Sequence, residues 1–61
     1  RFRGQSALTE AYAEVLRERG VACGQVLLTR RDVVDREGYL NARNTITRLL
    51  ELGCVPVVNE N

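Results

Sequence analysis

The chain has 61 residues, of which 44% are hydrophobic and 28% charged, and its formal net charge is +1. This composition is typical of a folded globular protein and argues against a disordered segment. It also argues against a membrane span, because no apolar run approaches the roughly 20 residues that cross a bilayer, and the small net charge gives no support to a nucleic-acid partner.

The first helix is predicted to begin after Ser6, a residue type that commonly caps helix N-termini. Apolar residues then repeat at helical spacing along one face, while charged residues take the other face. The apolar positions are Leu8, Ala11, Tyr12, Val15 and Leu16. Gly20 supplies the left-handed residue that ends many helices, so the helix is expected to stop just before it.

The next apolar run, Val26–Leu28, predicts a buried strand, and the polar residues 29–32 end it. Val33 and Val34 are expected to pin a loop or a short turn to the body of the protein. Asp35 can cap a second helix, and Gly53 ends it. The inward positions of that helix are predicted to be Tyr39, Ala42, Ile46, Leu49 and Leu50.

The last eight residues, Cys54–Asn61, combine an apolar run with three polar residues. The apolar run predicts a second buried strand, although Pro56 favours an edge or irregular position because it lacks a backbone N–H. Asn59, Glu60 and Asn61 follow the run, and open α/β sheets bind their ligands just beyond the carboxyl ends of the strands. These three residues are therefore the candidate site residues.

The order helix–strand–helix–strand predicts an α/β fold. A helix of this length cannot return as a hairpin, so we expect a parallel, right-handed β-α-β crossover. The crossover places the strand ends near Leu28 and Val58 at the same edge of the sheet. Parallel strands need helices on both faces and further strands beside them. We therefore expect residues 1–61 to be an internal fragment of a larger domain, and to fold poorly alone.

The residue types limit the chemistry that this segment could perform. The sequence contains no Lys and no His, so a mechanism that depends on either cannot be completed by these residues.

Cys23 and Cys54 are far apart and have no metal-binding C-x-x-C spacing. We interpret them as buried, reduced thiols of a cytoplasmic protein, with a disulfide as the alternative.

Four segments, in a single register along the chain, resemble the glutamate 5-kinases of the amino-acid kinase family. They are Gly4-Gln5-Ser6, Gln25-Val26-Leu27-Leu28-Thr29-Arg30, residues 35–45 with Tyr39-Leu40-Asn41-Ala42-Arg43, and Val55-Pro56-Val57-Val58-Asn59-Glu60-Asn61. Their combination is specific, although any one alone would be weak. The resemblance implies a three-layer α/β/α sandwich with a mainly parallel sheet, of which residues 1–61 would be an internal fragment of the kinase domain.

The resemblance also implies an activity: transfer of the γ-phosphoryl group of ATP to the side-chain carboxylate of L-glutamate, with Mg²⁺. This is the first step of proline biosynthesis, and we expect proline as a feedback inhibitor, a cytoplasmic location and a homo-oligomer. In the family, the Asn that opens the Asn-Glu-Asn-Asp string binds glutamate, which implies that role for Asn59. Glu60 and Asn61 would belong to the same substrate loop.

The other functional residues of that family match no position in this chain. The Asp that closes the string would follow Asn61, and the nucleotide-binding and catalytic residues also lie elsewhere. No catalytic residue and no metal ligand is therefore assigned within the 61 residues, and the chain alone is expected to be inactive. A neutral carboxamide such as that of Asn59 can donate to a substrate carboxylate or accept from its ammonium group, whereas Glu60 is expected to point away from an acidic substrate.

Other interpretations stay open. The protein could be a non-catalytic amino-acid-binding module, or a sibling kinase of the same fold with another acidic substrate. Asn59 could be a turn residue only. Arg30 and Arg31 could touch a nucleotide, although a solvated loop is the preferred interpretation. Asn41 and Arg43 could serve a subunit contact or proline sensitivity, or equally a capping and salt-bridge role.

Overall fold

A computed structural model of the chain describes residues 6–61, so Gly4 and Gln5 of the first resemblance segment lie outside the described residues. The elements in chain order are α1 (Ala7–Glu18), β1 (Cys23–Leu28), α2 (Arg30–Val34), α3 (Arg36–Glu51) and β2 (Val55–Glu60). The predicted order of helix, strand, helix and strand is confirmed, with one short additional helix, α2, ahead of the long one.

The two strands pair in parallel, from Cys23 opposite Val55 to Leu28 opposite Glu60. Helices α2 and α3 form the connection between them, so the predicted parallel β-α-β crossover is confirmed, while its right-handedness stays a prediction. Beyond β2, the backbone N–H of Asn61 donates to the Leu28 carbonyl oxygen at 2.8 Å. The carboxyl ends of both strands therefore lie together at one edge of the sheet, as the crossover predicts.

Helices lie on both faces of this sheet. Gly24 faces α3, because a Cβ built on it would lie 2.7 Å from Leu49 Cδ2. Asn59 faces α1, where its side chain contacts Thr9. Since Asn59 is paired with Leu27 and side chains alternate along a strand, Gly24 and Asn59 belong to opposite faces. The segment thus has α/β/α layering, and a larger sheet around it stays a prediction.

Local residue types direct the start of α1 and the ends of both long helices. Ser6 is the N-cap of α1, and its Oγ accepts from the Thr9 backbone N–H at 3.1 Å. Gly20 and Gly53, with φ of +75° and +79°, follow the ends of α1 and α3 in the left-handed conformation that glycine tolerates best. These three predictions are confirmed.

The buried stripe of α1 differs from the predicted one. Its buried residues are Thr9 and Ala13, whereas Leu8 and Tyr12 are 68% and 62% exposed. Leu8 and Tyr12 line a groove with β2 alone. The reason for the error is that the apolar stripe of α1 extends past β2, so a sheet of two strands covers only one flank of the helix.

The predicted loop or short turn after β1 is a five-residue helix, α2, with Thr29 as its N-cap. Asp32 Oδ2 accepts from the backbone N–H of Thr29 at 2.7 Å, and Thr29 Oγ1 accepts from the backbone N–H of Asp32 at 3.4 Å. This capping box satisfies donors that a loop would leave to solvent, and it starts α2. Val33 and Val34 are 73% and 76% exposed, so the prediction that they pin the chain to the body is wrong for residues 6–61.

The start of α3 also departs from prediction. Asp35 occupies the N-cap position, but its side chain makes no capping hydrogen bond. Instead its Oδ2 accepts from Arg31 Nε at 3.2 Å. On the inward face, Tyr39 and Leu50 are 51% and 59% exposed, and the partly buried positions are Ala42, Ile46 and Leu49. Two strands again cover less of the helix than its apolar pattern predicts.

Cys23 and Cys54 are free thiols, and both are half-buried rather than buried. Cys23 begins β1, and Cys54 immediately precedes β2. Each cysteine thus lies at the beginning of a strand, where neighbouring residues cover only part of its side chain.

None of the helices among residues 6–61 is long and apolar enough to cross a membrane.

Candidate functional site

The candidate site lies where the carboxyl ends of the strands meet the first turn of α1. Asn59 and Glu60 are the last two residues of β2, so the prediction that they follow the strand is wrong for both, and only Asn61 lies beyond it. The strand outlasts its apolar run because Leu27 and Leu28 of β1 provide pairing partners for both residues, and backbone pairing does not require apolar side chains.

Asn59 contacts α1 through Thr9. The Thr9 hydroxyl donates to Asn59 Oδ1 with an oxygen–oxygen distance of 3.1 Å. Thr9 is only 8% exposed and is the buried polar residue of the described chain, while Asn59 is half-buried. A buried hydroxyl normally has a hydrogen-bond partner, and here that partner is Asn59, the residue for which the family resemblance implies a substrate-binding role.

Ser6 contacts Thr9 in turn, so that Ser6, Thr9 and Asn59 are joined by consecutive hydrogen bonds. Its Oγ lies 2.6 Å from Thr9 Oγ1 and also accepts from the Thr9 backbone N–H. Thr9 has a single hydroxyl hydrogen, which it donates to Asn59, so the hydroxyl hydrogen of Ser6 must point to Thr9. The direction of donation is therefore from Ser6 to Thr9 to Asn59.

The contact with Thr9 holds the side chain of Asn59 on the face of the sheet that α1 covers. Because Oδ1 faces the Thr9 hydroxyl, the amino group lies on the other branch of the carboxamide, turned away from that hydroxyl. An amide amino group carries two N–H donors.

Glu60 and Asn61 are placed differently from Asn59. Glu60 is exposed, and strand alternation puts it on the opposite face of β2 from Asn59. Its carboxylate is thereby kept away from the face on which Asn59 and Thr9 meet, which agrees with the expected orientation. Asn61 is exposed and its backbone closes against Leu28.

The other polar residues considered from the sequence lie away from Asn59. Arg30 and Arg31 are exposed in α2, and the Arg31 guanidinium is paired with Asp35. Asn41 and Arg43 are exposed on α3, on the face of the sheet opposite to α1. The structure therefore brings together Asn59, Thr9 and Ser6, and leaves the arginines outside this group.

Ser6, Thr9 and Asn59 have uncharged side chains, so this group carries no formal charge of its own. Arg17 lies in the last turn of α1, at the other end of the helix from Ser6. The Glu14 carboxylate, 2.7 Å away, raises the pKa of the Arg17 guanidinium above its usual value, with Glu10 contributing in the same direction. Both pairs are more than half exposed, so they stabilise the surface of α1 only weakly.

Thr9 was not identified from the sequence. It lies three positions after the N-cap Ser6, a spacing that predicts a backbone contact but not a contact with a strand. The apolar pattern also placed the inward face of α1 on Leu8 and Tyr12, one position before and three positions after it. A polar residue flanked by an apolar stripe is the only sequence signal that could have indicated its burial.

Comparison with known proteins gives one consistent result. No family model and no solved structure matches the chain. The glutamate 5-kinase of Delftia acidovorans is 60% identical over 58 residues, which are 95% of this chain and 15% of the relative. The glutamate 5-kinase of Polaromonas sp. is 57% identical over the same shares, and that of Azoarcus sp. is 52% identical over 95% of this chain and 16% of the relative.

The chain therefore spans about 15% of the length of the curated relatives that it matches. The similarity is not confined to one motif, because the aligned 58 residues include at least part of each resemblance segment. The resemblance inferred from those segments is confirmed: this chain is similar, over 95% of its own length, to one segment of the glutamate 5-kinases.

Proposed function

We propose that this chain forms part of a glutamate 5-kinase, which transfers the γ-phosphoryl group of ATP to the side-chain carboxylate of L-glutamate. The observation that carries the proposal is the position of Asn59 at the carboxyl end of two parallel strands, within a segment 60% identical to a curated glutamate 5-kinase. That edge of a parallel sheet is where α/β proteins bind their ligands.

In this proposal the segment serves the glutamate side of the reaction. Among residues 6–61, no cluster of acidic, His or Cys side chains could hold a metal ion. By family resemblance, we assign the binding of ATP and Mg²⁺ to other parts of the protein. The contribution of this segment is to bind and orient the amino-acid substrate.

Asn59 suits that contribution. Phosphoryl transfer depends mainly on positioning and on stabilisation of charge. A neutral carboxamide can donate N–H to a glutamate carboxylate without adding a charge that would repel either the substrate or the nucleotide. Glu60, which would repel an acidic substrate, lies on the other face of β2.

By family resemblance, we extend the proposal to a cytoplasmic homo-oligomer that proline inhibits.

The proposed activity is tested on the full-length protein that contains this segment. Phosphorylation of a carboxylate gives an acyl phosphate, which hydroxylamine converts to a hydroxamate. We expect ADP and hydroxamate to form in equal amounts, and only when L-glutamate, ATP and Mg²⁺ are all present. ADP formation that does not depend on glutamate would contradict the proposal.

The same assay, together with calorimetry, separates the two alternatives. Glutamate binding in a calorimeter, with no ADP formed, would indicate a non-catalytic amino-acid-binding module. ADP formation with a different acid, and not with glutamate, would indicate a sibling kinase of the same fold. A panel that includes L-aspartate, N-acetyl-L-glutamate and L-glutamate is sufficient for this comparison, because the three differ in chain length or in the charge of the amino group.

A further inference from the structure

We propose that the sheet continues beside β2, where a further strand from another segment of the same protein packs beneath α1. Among residues 6–61 the sheet consists of β1 and β2, so each strand has one open edge. The open edge of β2, together with the apolar flank of α1 above it, is then an interaction surface. The partner that fits this surface is an extended strand with apolar side chains.

The first support is the flank of α1 that lies over β2. Leu8, Tyr12 and Leu16 line a groove with residues 55–58 of β2, and Leu8 and Tyr12 are 68% and 62% exposed. An amphipathic helix packs its apolar stripe against the sheet that it covers. Here that stripe extends past β2, so the helix is shaped to cover at least one more strand on that side.

The opposite flank of α1, over β1, has a different character. Glu10 and Arg17 form an ion pair at 3.6 Å, and they line a groove with Gln25 of β1. Both charged side chains are more than half exposed, and charged groups of this kind are stable in water without a covering element. The two flanks of one helix therefore indicate that the sheet extends from β2 rather than from β1.

The second support is the direction of the backbone groups of β2. The N–H of Val55 donates to the Ala22 carbonyl oxygen at 2.9 Å, and the N–H of Asn61 donates to the Leu28 carbonyl oxygen at 2.8 Å. Both donors point to β1, and they lie six positions apart. Because successive residues of a strand point their backbone groups to opposite sides, the even-numbered residues of β2 present theirs to the open edge.

Those residues are Pro56, Val58 and Glu60. Pro56 has no N–H to donate, whereas Val58 and Glu60 each present one donor and one acceptor. Unpaired groups of this kind are a template for another strand. The further strand is therefore expected to pair with the carboxyl-terminal half of β2, and the missing donor of Pro56 limits pairing at the other half.

The segment that covers this edge is assigned to the same protein. The chain spans about 15% of the length of the curated glutamate 5-kinases that it matches, so a protein of that family has other segments that can supply a strand. Two copies of β2, paired about a twofold axis perpendicular to the sheet, would instead run antiparallel. Each copy would then bring a Pro56 without its donor to the shared ladder.

Thiol labelling of the folded full-length protein tests whether the apolar flank is covered. We expect Leu8→Cys to react with a maleimide at least about a hundredfold more slowly than Glu14→Cys, because labelling of a covered position requires local opening. Glu14 is the matched control on the charged flank, where it is exposed. Both rates are taken above that of the unaltered protein, and equal rates for the two variants would overturn the proposal.

Hydrogen–deuterium exchange gives a second measurement that needs no substitution. In the unaltered full-length protein, the amides of Val58 and Glu60 should exchange at least about a hundredfold more slowly than unpaired amides. Mass spectrometry with electron-transfer fragmentation resolves these single amides. Exchange of both at the unpaired rate would overturn the proposal, even if the cysteine variants failed to fold.

Oxidation of Tyr12→Cys separates the two possible occupants. A second copy at this edge would bring two such cysteines together near the twofold axis, and a disulfide-linked dimer would overturn the assignment to the same protein. We expect no more linked dimer than the unaltered protein forms. None of these readouts uses catalysis, so the proposed function, which fails if no ADP forms in response to glutamate, is tested separately.

Discussion

The hydroxyl of Thr9 donates to Oδ1 of Asn59 at 3.1 Å, across 50 positions of sequence. This hydrogen bond joins the first turn of α1 to the carboxyl end of β2. It makes the position of the Asn59 side chain, the candidate glutamate-binding group, depend on a helix that is distant in sequence. Changes in α1 are therefore expected to alter both the stability of the fold and the behaviour of the site.

Ser6→Ala tests the first residue of this chain of hydrogen bonds. The variant removes the N-cap of α1 and the group that holds the Thr9 hydroxyl. We expect a loss of about 1 kcal/mol in the free energy of unfolding of the full-length protein, measured by urea titration, and a small rise in the KM for glutamate.

Ser6→Asp is the matched control, because Asp also caps helices well. It should recover most of the stability that Ser6→Ala loses. If Ser6→Ala has the stability of the unaltered protein, the capping interaction contributes nothing and the first step of this account is wrong.

Gly38→Ala tests the contact between α2 and α3. A Cβ at Gly38 would lie 3.0 Å from Asp32 Cα and 3.1 Å from the Arg31 carbonyl oxygen. Both are backbone atoms that cannot rotate away, so we expect a loss of about 1–3 kcal/mol in unfolding free energy, despite the higher helix propensity of Ala.

Gly24→Ala provides the comparison for that variant. The nearest atom to its added Cβ is the end of the Leu49 side chain, 2.7 Å away, which can change rotamer. It should cost less than Gly38→Ala in the same urea titration. The reverse order of the two losses would show that α2 moves freely against α3.

Local signals in the sequence were sufficient for the start of α1 and for the ends of α1 and α3. Ser6, Gly20 and Gly53 act on the backbone within a few residues of themselves, so residue type alone locates them. The crossover followed from the length of the connection, and it placed Asn59 at the correct edge of the sheet.

Contacts between distant elements could not be predicted in this way. Whether Thr9 or Leu8 faces the sheet depends on where α1 lies over the strands, and periodicity does not fix that position. The exposure of Val33 and Val34 likewise depends on which elements lie beside α2. The orientation of Asn59 needed both the strand register and the helix, so only the structure supplies it.

The isolated 61-residue chain is expected to unfold without cooperativity. Ala13 and Val26 are the buried hydrophobic residues of the described chain, while Val33 and Val34 are more than 70% exposed. So small a core gives little hydrophobic stabilisation against the entropy of ordering the chain. Circular dichroism should show a broad thermal transition, and a sharp one in a monomeric sample would contradict this expectation.

The assignment of Asn59 to the glutamate site is best tested by the KM values for glutamate and ATP in Asn59→Ala, in the full-length protein. We expect a rise of about tenfold or more in the KM for glutamate, the loss expected for a hydrogen bond to a charged group, with the KM for ATP unchanged. Asn44→Ala, at an exposed position of α3, should change neither value. An unchanged KM for glutamate in Asn59→Ala, or an equal rise in both KM values, would contradict the assignment of Asn59 to the glutamate site.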